Sequence, residues 1–294
     1  MDKMEFATRI AEEVGKRMPD ATVSVNEVLK NNRTLTGITI KSDNSNIAPT
    51  IYVDEFYGGG YTLNAMVDHV IDMYKRSAKP DFNIDEFMNW DKAKHHLSFR
   101  LVRREGNEKL LENLPHGSFG DLAVYFAVDV DLGHNKGSIK ITNEIADKWG
   151  VNTFMLMNNT LDYAPEAKVA SILDLIRNMT DIDEDFDDNN IPMKVVTTPN
   201  QNYGASVMIY SSAFMKLAEQ FDSDLYIIPS SVHELIVVPV GSMDPEMIKS
   251  MVVDVNREVV SPEEVLSDNV YYYNKSTGEI EYADSHEVLT LEVA

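Results

Sequence analysis

Ser231, His233 and Glu234 are the residue types that nucleophilic and acid–base catalysis draws on. They follow Pro229-Ser230 and open an apolar run, Val232 to Val238. Ionisable groups inside apolar surroundings shift their proton affinities, as functional sites often do. If the run is a strand from Val232 on, alternation puts His233 on the face of Ser231 and Leu235, and Glu234 on the face of Val232 and Ile236. Ser231 and His233 then lie roughly 7 Å apart, long for a nucleophile–base hydrogen bond. A hydrolase or metal-dependent enzyme centred on these three residues is one reading. A hydrogen-bonded strand-end His beside a paired Glu is the other. His233-Glu234 does not open a zinc-peptidase HExxH motif, because Val237 stands where the second His would be.

Three further groups carry chemical potential. Asp129 and Asp131 share one strand face, roughly 7 Å apart, and His134 follows; the set is a divalent-metal candidate, or else a strand end in solvent. Asp181, Asp183, Glu184, Asp185, Asp187 and Asp188 form an acidic run. Its first alternate carboxylates fit a calcium loop, but Phe186 replaces the required Gly and Pro192 the required Glu. The run reads instead as a solvated binding surface. Against the global charge stands a basic island between Lys92 and Lys109. Its Arg100, Arg103 and Arg104 could dock an acidic partner or a phosphate, or offset the protein's own acidity. Strand alternation puts Arg100 and Arg104 on the outward face.

Other templates fail. Gly58-Gly59-Gly60 is neither a dinucleotide fingerprint nor a Walker loop. Gly204-Ala205-Ser206-Val207-Met208 approaches a nucleophile elbow, but Met208 replaces the final Gly. The absence of Cys removes thiol nucleophiles, disulfides and Cys-bearing zinc sites. With 26 Lys and Arg against 48 Asp and Glu, the charge of −22 opposes broad contact with nucleic-acid backbone. No run approaches the roughly 18 apolar residues that a membrane span needs, and the acidic Met1-Asp2-Lys3-Met4-Glu5 opening lacks an apolar signal core.

Several elements must position these groups. Helical periodicity marks Phe6 to Met18, Leu63 to Tyr74, Val169 to Met179 behind Pro165, Phe214 to Phe221 after Ser211-Ser212, and Ile248 to Val255 behind Asp244-Pro245. Alternation marks strands at Leu97 to Val102 and Val124 to Asp131. In Leu35 to Ile40 the apolar parity switches at Gly37, which predicts a bulge. Leu225 to Ile228 and Val232 to Val238 read as two strands, and Val270 to Tyr273 with Glu279 to Tyr282 as a hairpin. The pattern predicts an α+β fold, mostly antiparallel sheets with packed amphipathic helices. The composition shift at 181–190 suggests N-terminal (1–180) and C-terminal (191–294) α+β regions, or a loop in one continuous domain.

The chain resembles an uncharacterised family of anaerobic Gram-positive bacteria and their mobile elements, domain of unknown function 5688. The likeness rests on Lys30-Asn31-Asn32 with Leu35 to Ile40, on Asn46 to Tyr52, on Lys148 to Val151, on Asn202-Tyr203-Gly204-Ala205, on Ser223 through Glu234, and on Val255-Asn256-Arg257 with Pro262 to Asp268. It implies an intracellular bacterial or mobile-element protein and brings no catalytic residues. The resulting expectation is a non-enzymatic, cytoplasmic, acidic accessory or inhibitor, of phage or mobile-element anti-defence type, acting on a protein partner that is basic or itself binds nucleic acid. Neither a cofactor, direct nucleic-acid contact nor a membrane is expected. A scaffold role is the remaining alternative.

Overall fold

A computed structural model describes residues 1–43, 48–77, 87–132, 135–171, 193–210 and 212–293. The chain opens with α1 (Lys3–Arg17), β1 (Ala21–Lys30), β2 (Arg33–Ser42), β3 (Thr50–Tyr52) and α2 (Leu63–Arg76). Asp2 caps α1 by accepting the Glu5 N–H at 2.7 Å. The buried stripe Phe6, Ile10 and Val14 meets Met66, Val67 and Val70 of α2 over Ile38 and Ile40 of β2, forming a core of its own. β1 and β2 pair without interruption from Ala21↔Ser42 to Lys30↔Arg33. No bulge forms at Gly37. The parity switch arises because β2 is covered on both faces: Ile38 and Ile40 face the helices, while Leu35 faces a cleft. Gly37 is required by close approach of β3, since a Cβ there would stand 2.4 Å from Thr50 Cγ2. The tight turn at Asn31-Asn32 closes with Asn32 at φ 59°, a conformation Asn tolerates.

Next come α3 (Trp90–Ala93), β4 (Leu97–Arg103), α4 (Glu108–Leu111), β5 (His116–Phe119), β6 (Leu122–Leu132), β7 (Asn135–Lys140), α5 (Asn143–Trp149) and α6 (Thr153–Asp162). The last stretch holds β8 (Lys168–Ser171), β9 (Lys194–Thr197), α7 (Ser212–Phe221), β10 (Leu225–Ile228), β11 (Leu235–Pro239), α8 (Pro245–Glu258), β12 (Tyr271–Tyr273), β13 (Ile280–Tyr282) and β14 (Glu292–Val293). Two more antiparallel sheets result. One runs β14-β5-β6-β4 with β7 on β6, and the other β13-β12-β10-β11-β9-β8. The α+β class read from the sequence is the class observed.

One shared core joins these two sheets. Phe99, Leu101, Val124 and Phe126 of the first sheet pack with Val196, Ile227, Val237 and Tyr271 of the second and with Phe214 and Leu217 of α7. The other face of the first sheet carries Val102, Ala123 and Tyr125 under Leu110, Leu111 and Leu114. Both faces of β4 are therefore covered, which matters for Arg100 below.

Two readings are corrected. The helix predicted from Val169 does not start there: Lys168–Ser171 is the edge strand β8, paired with β9 from Lys168↔Thr197 to Ser171↔Lys194. Of the five apolar positions in that pattern only Val169 falls in β8, and one position fixes no period, so pairing with β9 decides the conformation there. Ile172 to Met179 lie outside the described residues. The strand predicted from Val232 begins at Leu235; Ser231 makes only an isolated bridge to Val265. The two strands flanking the compositional boundary at 181–190 pair with each other in one sheet, and the shared core spans residues on both sides of it. No helix among the described residues is long and apolar enough to cross a membrane.

Candidate functional site

His233 sits where four stretches of main chain cross. The Val232 N–H donates to Glu264 O at 2.8 Å, the Leu266 N–H to Ser230 O at 3.1 Å, and the Ala205 N–H to Val232 O at 3.2 Å. The main-chain groups and Nδ1 of His233 are all hydrogen-bonded. Its main-chain N–H donates to Ser231 Oγ at 3.0 Å and its carbonyl accepts Thr197 Oγ1 at 2.7 Å. In the ring, Nδ1 accepts the Tyr203 N–H at 3.2 Å, while Nε2 stands 3.6 Å from Glu264 Oε1. An accepting Nδ1 leaves the proton of the neutral ring on Nε2, which is thus a donor.

This geometry does not join Ser231 to the imidazole. The buried Ser231 hydroxyl serves its own turn, and Nε2 faces Glu264 instead. Half-buried Glu234 makes no hydrogen bond or ion pair to a described residue. The Ser231 hydroxyl thus closes the turn at His233 and is not hydrogen-bonded to the imidazole.

Tyr203 links His233 to the basic island. It is held at φ 51°, its ring centroid 5.5 Å from that of the imidazole, with the Arg100 guanidinium 4.5 Å from the phenol ring. Arg100 does not point outward, as alternation suggested, but is buried because the second face of β4 is also covered. It donates to Ser98 Oγ at 2.7 Å and Phe99 O at 3.0 Å and pairs with Asp129. Asp129 is therefore the counter-ion of a buried arginine. Asp131 stands opposite Lys136 in the β6–β7 ladder; His134 lies outside the described residues, as do Asp181, Asp183, Glu184, Asp185, Asp187 and Asp188. Among the described residues, no group of three or more His, Asp or Glu is placed to hold a metal ion. Arg103 pairs with Asp268 at 2.9 Å and Arg104 is exposed.

A cleft of about 280 Å³ opens beside His233. One wall is the β1–β2 tip, locked by Asn107, whose Nδ2 donates to Asn31 Oδ1 at 3.1 Å and Asn32 Oδ1 at 3.0 Å. Asn31 and Asn32 in turn donate to Val265 O at 2.8 and 2.7 Å. Lys30, Arg33 and Lys140 bring positive charge to the cleft, and Tyr52, Tyr125 and Tyr203 bring aromatic surface. Burial, reinforced by neighbouring Lys30, pushes the Lys140 ammonium below its ordinary value. Burial also pushes the Tyr125 phenol up; Tyr203 adds to the rise and Arg100 opposes it.

The family model of DUF5688, described as a family of unknown function, matches residues 3–275. The chain belongs to that family. No curated protein and no solved structure matches it. In this DUF5688 chain, stretches that carry the family likeness converge on the cleft: Lys30 and Asn31, Tyr203, Val232 and His233, and Glu263 and Glu264. Of the cleft residues, sequence reasoning singled out His233 alone. Lys30, Tyr203 and Glu264 stood only within stretches of family likeness and Lys140 in none, and only the fold brings the four together.

Proposed function

We propose that this protein is a non-enzymatic interaction protein of the cytoplasm, an accessory or inhibitor that offers an acidic exterior to a basic protein partner. The supporting observation is the fate of its positive charge. Three cations of the basic island are spent on the protein's own carboxylates: Lys94 on Asp91 at 2.9 Å, Arg100 on Asp129, and Arg103 on Asp268 at 2.9 Å. Exposed carboxylates outnumber exposed lysines and arginines among the described residues. Such a field speeds encounter with a basic surface and repels phosphate. Phage and mobile-element factors that block a nucleic-acid-binding host protein, anti-defence factors included, are accessories of this type.

Retention of host proteins on immobilised full-length chain tests the proposal. Basic proteins retained at low ionic strength and released at high ionic strength fit a screened charge interaction. If nothing basic is retained at low salt, the proposal fails.

Catalysis is a second reading, favoured by one observation, the cleft beside His233. Its weakness is that, among the described residues, Nε2 faces the Glu264 carboxylate and not a hydroxyl nucleophile. A His233→Ala variant that folds and keeps the in-cell phenotype removes it.

A further inference from the structure

We propose that the His233 cleft is a binding site for a small organic anion, its acidic group seated between the ammonium groups of Lys30 and Lys140 and its apolar body against Leu35, Val102 and Tyr125. This goes beyond the acidic-exterior reading and does not depend on it.

The charges lining the cleft do not cancel where it matters. Asp54 is taken by Lys3 at 2.5 Å and by the Thr36 N–H at 2.7 Å. Glu263 is taken by Arg33 at 3.1 Å, and Glu264 stands toward His233. Glu55 is exposed. Neither Lys30 nor Lys140 forms an ion pair with a described residue. Lys140 reaches only Leu29 O, at 3.4 Å, and Lys30 lies 5.4 Å above the Tyr52 ring. Partly burying an ammonium without a counter-charge is costly, and a second ammonium nearby adds to the cost. An anion between the two relieves both. The depressed proton affinity of Lys140 is the same strain seen from the other side.

Shape and rigidity agree. About 280 Å³ suits a ligand smaller than drug-sized ones, and Leu35, Val102, Leu110 and Val232 give an otherwise strongly polar cleft an apolar part. The Asn31–Asn32–Asn107 network fixes the wall that carries Lys30, so little ordering remains to be done on binding.

Calorimetric titration and thermal-shift measurements on the full chain at neutral pH and low salt test the proposal, with benzoate, phenyl phosphate and uncharged benzyl alcohol as probes. At least one anion is expected to bind and raise the melting temperature dose-dependently, with no effect of the alcohol. Stronger binding of phenyl phosphate marks a phosphate ester as the natural class, and stronger binding of benzoate a carboxylate. Lys140→Met should weaken anion binding at least about tenfold, as expected for removal of a charged partner. Lys30→Met should do the same, and it decides the matter if Lys140→Met does not fold. The proposal is overturned if neither anion binds at millimolar concentration. It also fails if the alcohol matches the anions, or if the folded lysine variants bind like the parent.

Discussion

The main-chain N–H of Tyr203 donates to Nδ1 of His233 at 3.2 Å, and this bond couples a side-chain orientation to a strained backbone. Tyr203 is held at φ 51° and ψ 34°, a left-handed conformation that non-glycine residues rarely adopt. His233→Ala removes the acceptor and is expected to cost about 1–3 kcal/mol, the range for an orphaned main-chain donor. His233→Asn puts Oδ1 near the former position of Nδ1 and should keep most of that stability. Urea unfolding of both variants checks this; equal losses would show that the bond does not hold Tyr203.

Asn107 is the second point where one side chain holds distant elements together. It is 2% exposed, accepts the Asn32 N–H at 2.8 Å and donates to both turn asparagines and to Arg103 O at 2.8 Å. Asn107→Ala strands several buried partners at once and is expected to cost about 3 kcal/mol, the upper end for one unsatisfied group. Asn107→Asp keeps the acceptor for Asn32 but sets a buried carboxylate oxygen against three acceptors, and should cost at least as much. If the wall bearing Lys30 loosens with it, hydrogen exchange in β1 and β2 will rise more than in β10.

Alkaline stability should report the buried phenols. Tyr272 and Tyr282 are pushed up to about 12, first by burial and then by the carboxylates that accept from them, Asp224 at 2.6 Å and Asp121 at 3.2 Å. Buried Tyr271, which also donates to Asp121, is likewise raised well above its ordinary value, first by burial. An unfolded tyrosine ionises near pH 10. The stability these phenols contribute is thus whole below pH 10 and is lost as pH climbs toward 12. Lys140 acts oppositely, since its folded ammonium is disfavoured and sheds its proton first. Three phenols outweigh one lysine, so the urea midpoint should fall above pH 10. Tyr282→Phe should lessen that fall.

Elements whose pattern is long were legible in the sequence, and the site was not. α1, α2, α7 and α8 follow periods that a single buried face imposes, and Asp244-Pro245 starts α8 as its cap, accepting from Glu246 and Met247. β8 misled because four residues cannot separate a strand from a helical turn; only its pairing with β9 decides. Arg100 misled because alternation assumes that one face of β4 meets water, whereas Tyr203 covers it. The cleft escaped for a deeper reason: Lys30, Lys140, Tyr203 and Glu264 are joined by tertiary packing, and no local spacing encodes that.

Two glycines of contrasting surroundings give the sharpest mutational pair. At Gly204 an added Cβ would stand 1.9 Å from Thr197 Oγ1 and 2.3 Å from the main-chain carbonyl of His233. Those two atoms are bonded to each other at 2.7 Å, so neither can retreat without breaking the contact that fixes His233. Gly204→Ala is therefore expected to cost about 3 kcal/mol or more, the severe end of overpacking. Trimming Thr197 to Ala in the same chain should rescue only part of the loss, because the carbonyl clash remains. At Gly15, inside α1, an added Cβ meets nothing within 4 Å. There Gly→Ala should stabilise by about 1 kcal/mol through helix propensity alone. Melting curves of the single variants and the Thr197 double variant decide the comparison. If Gly204→Ala melts with the parent, the backbone crossing that seats His233 is looser than these distances state.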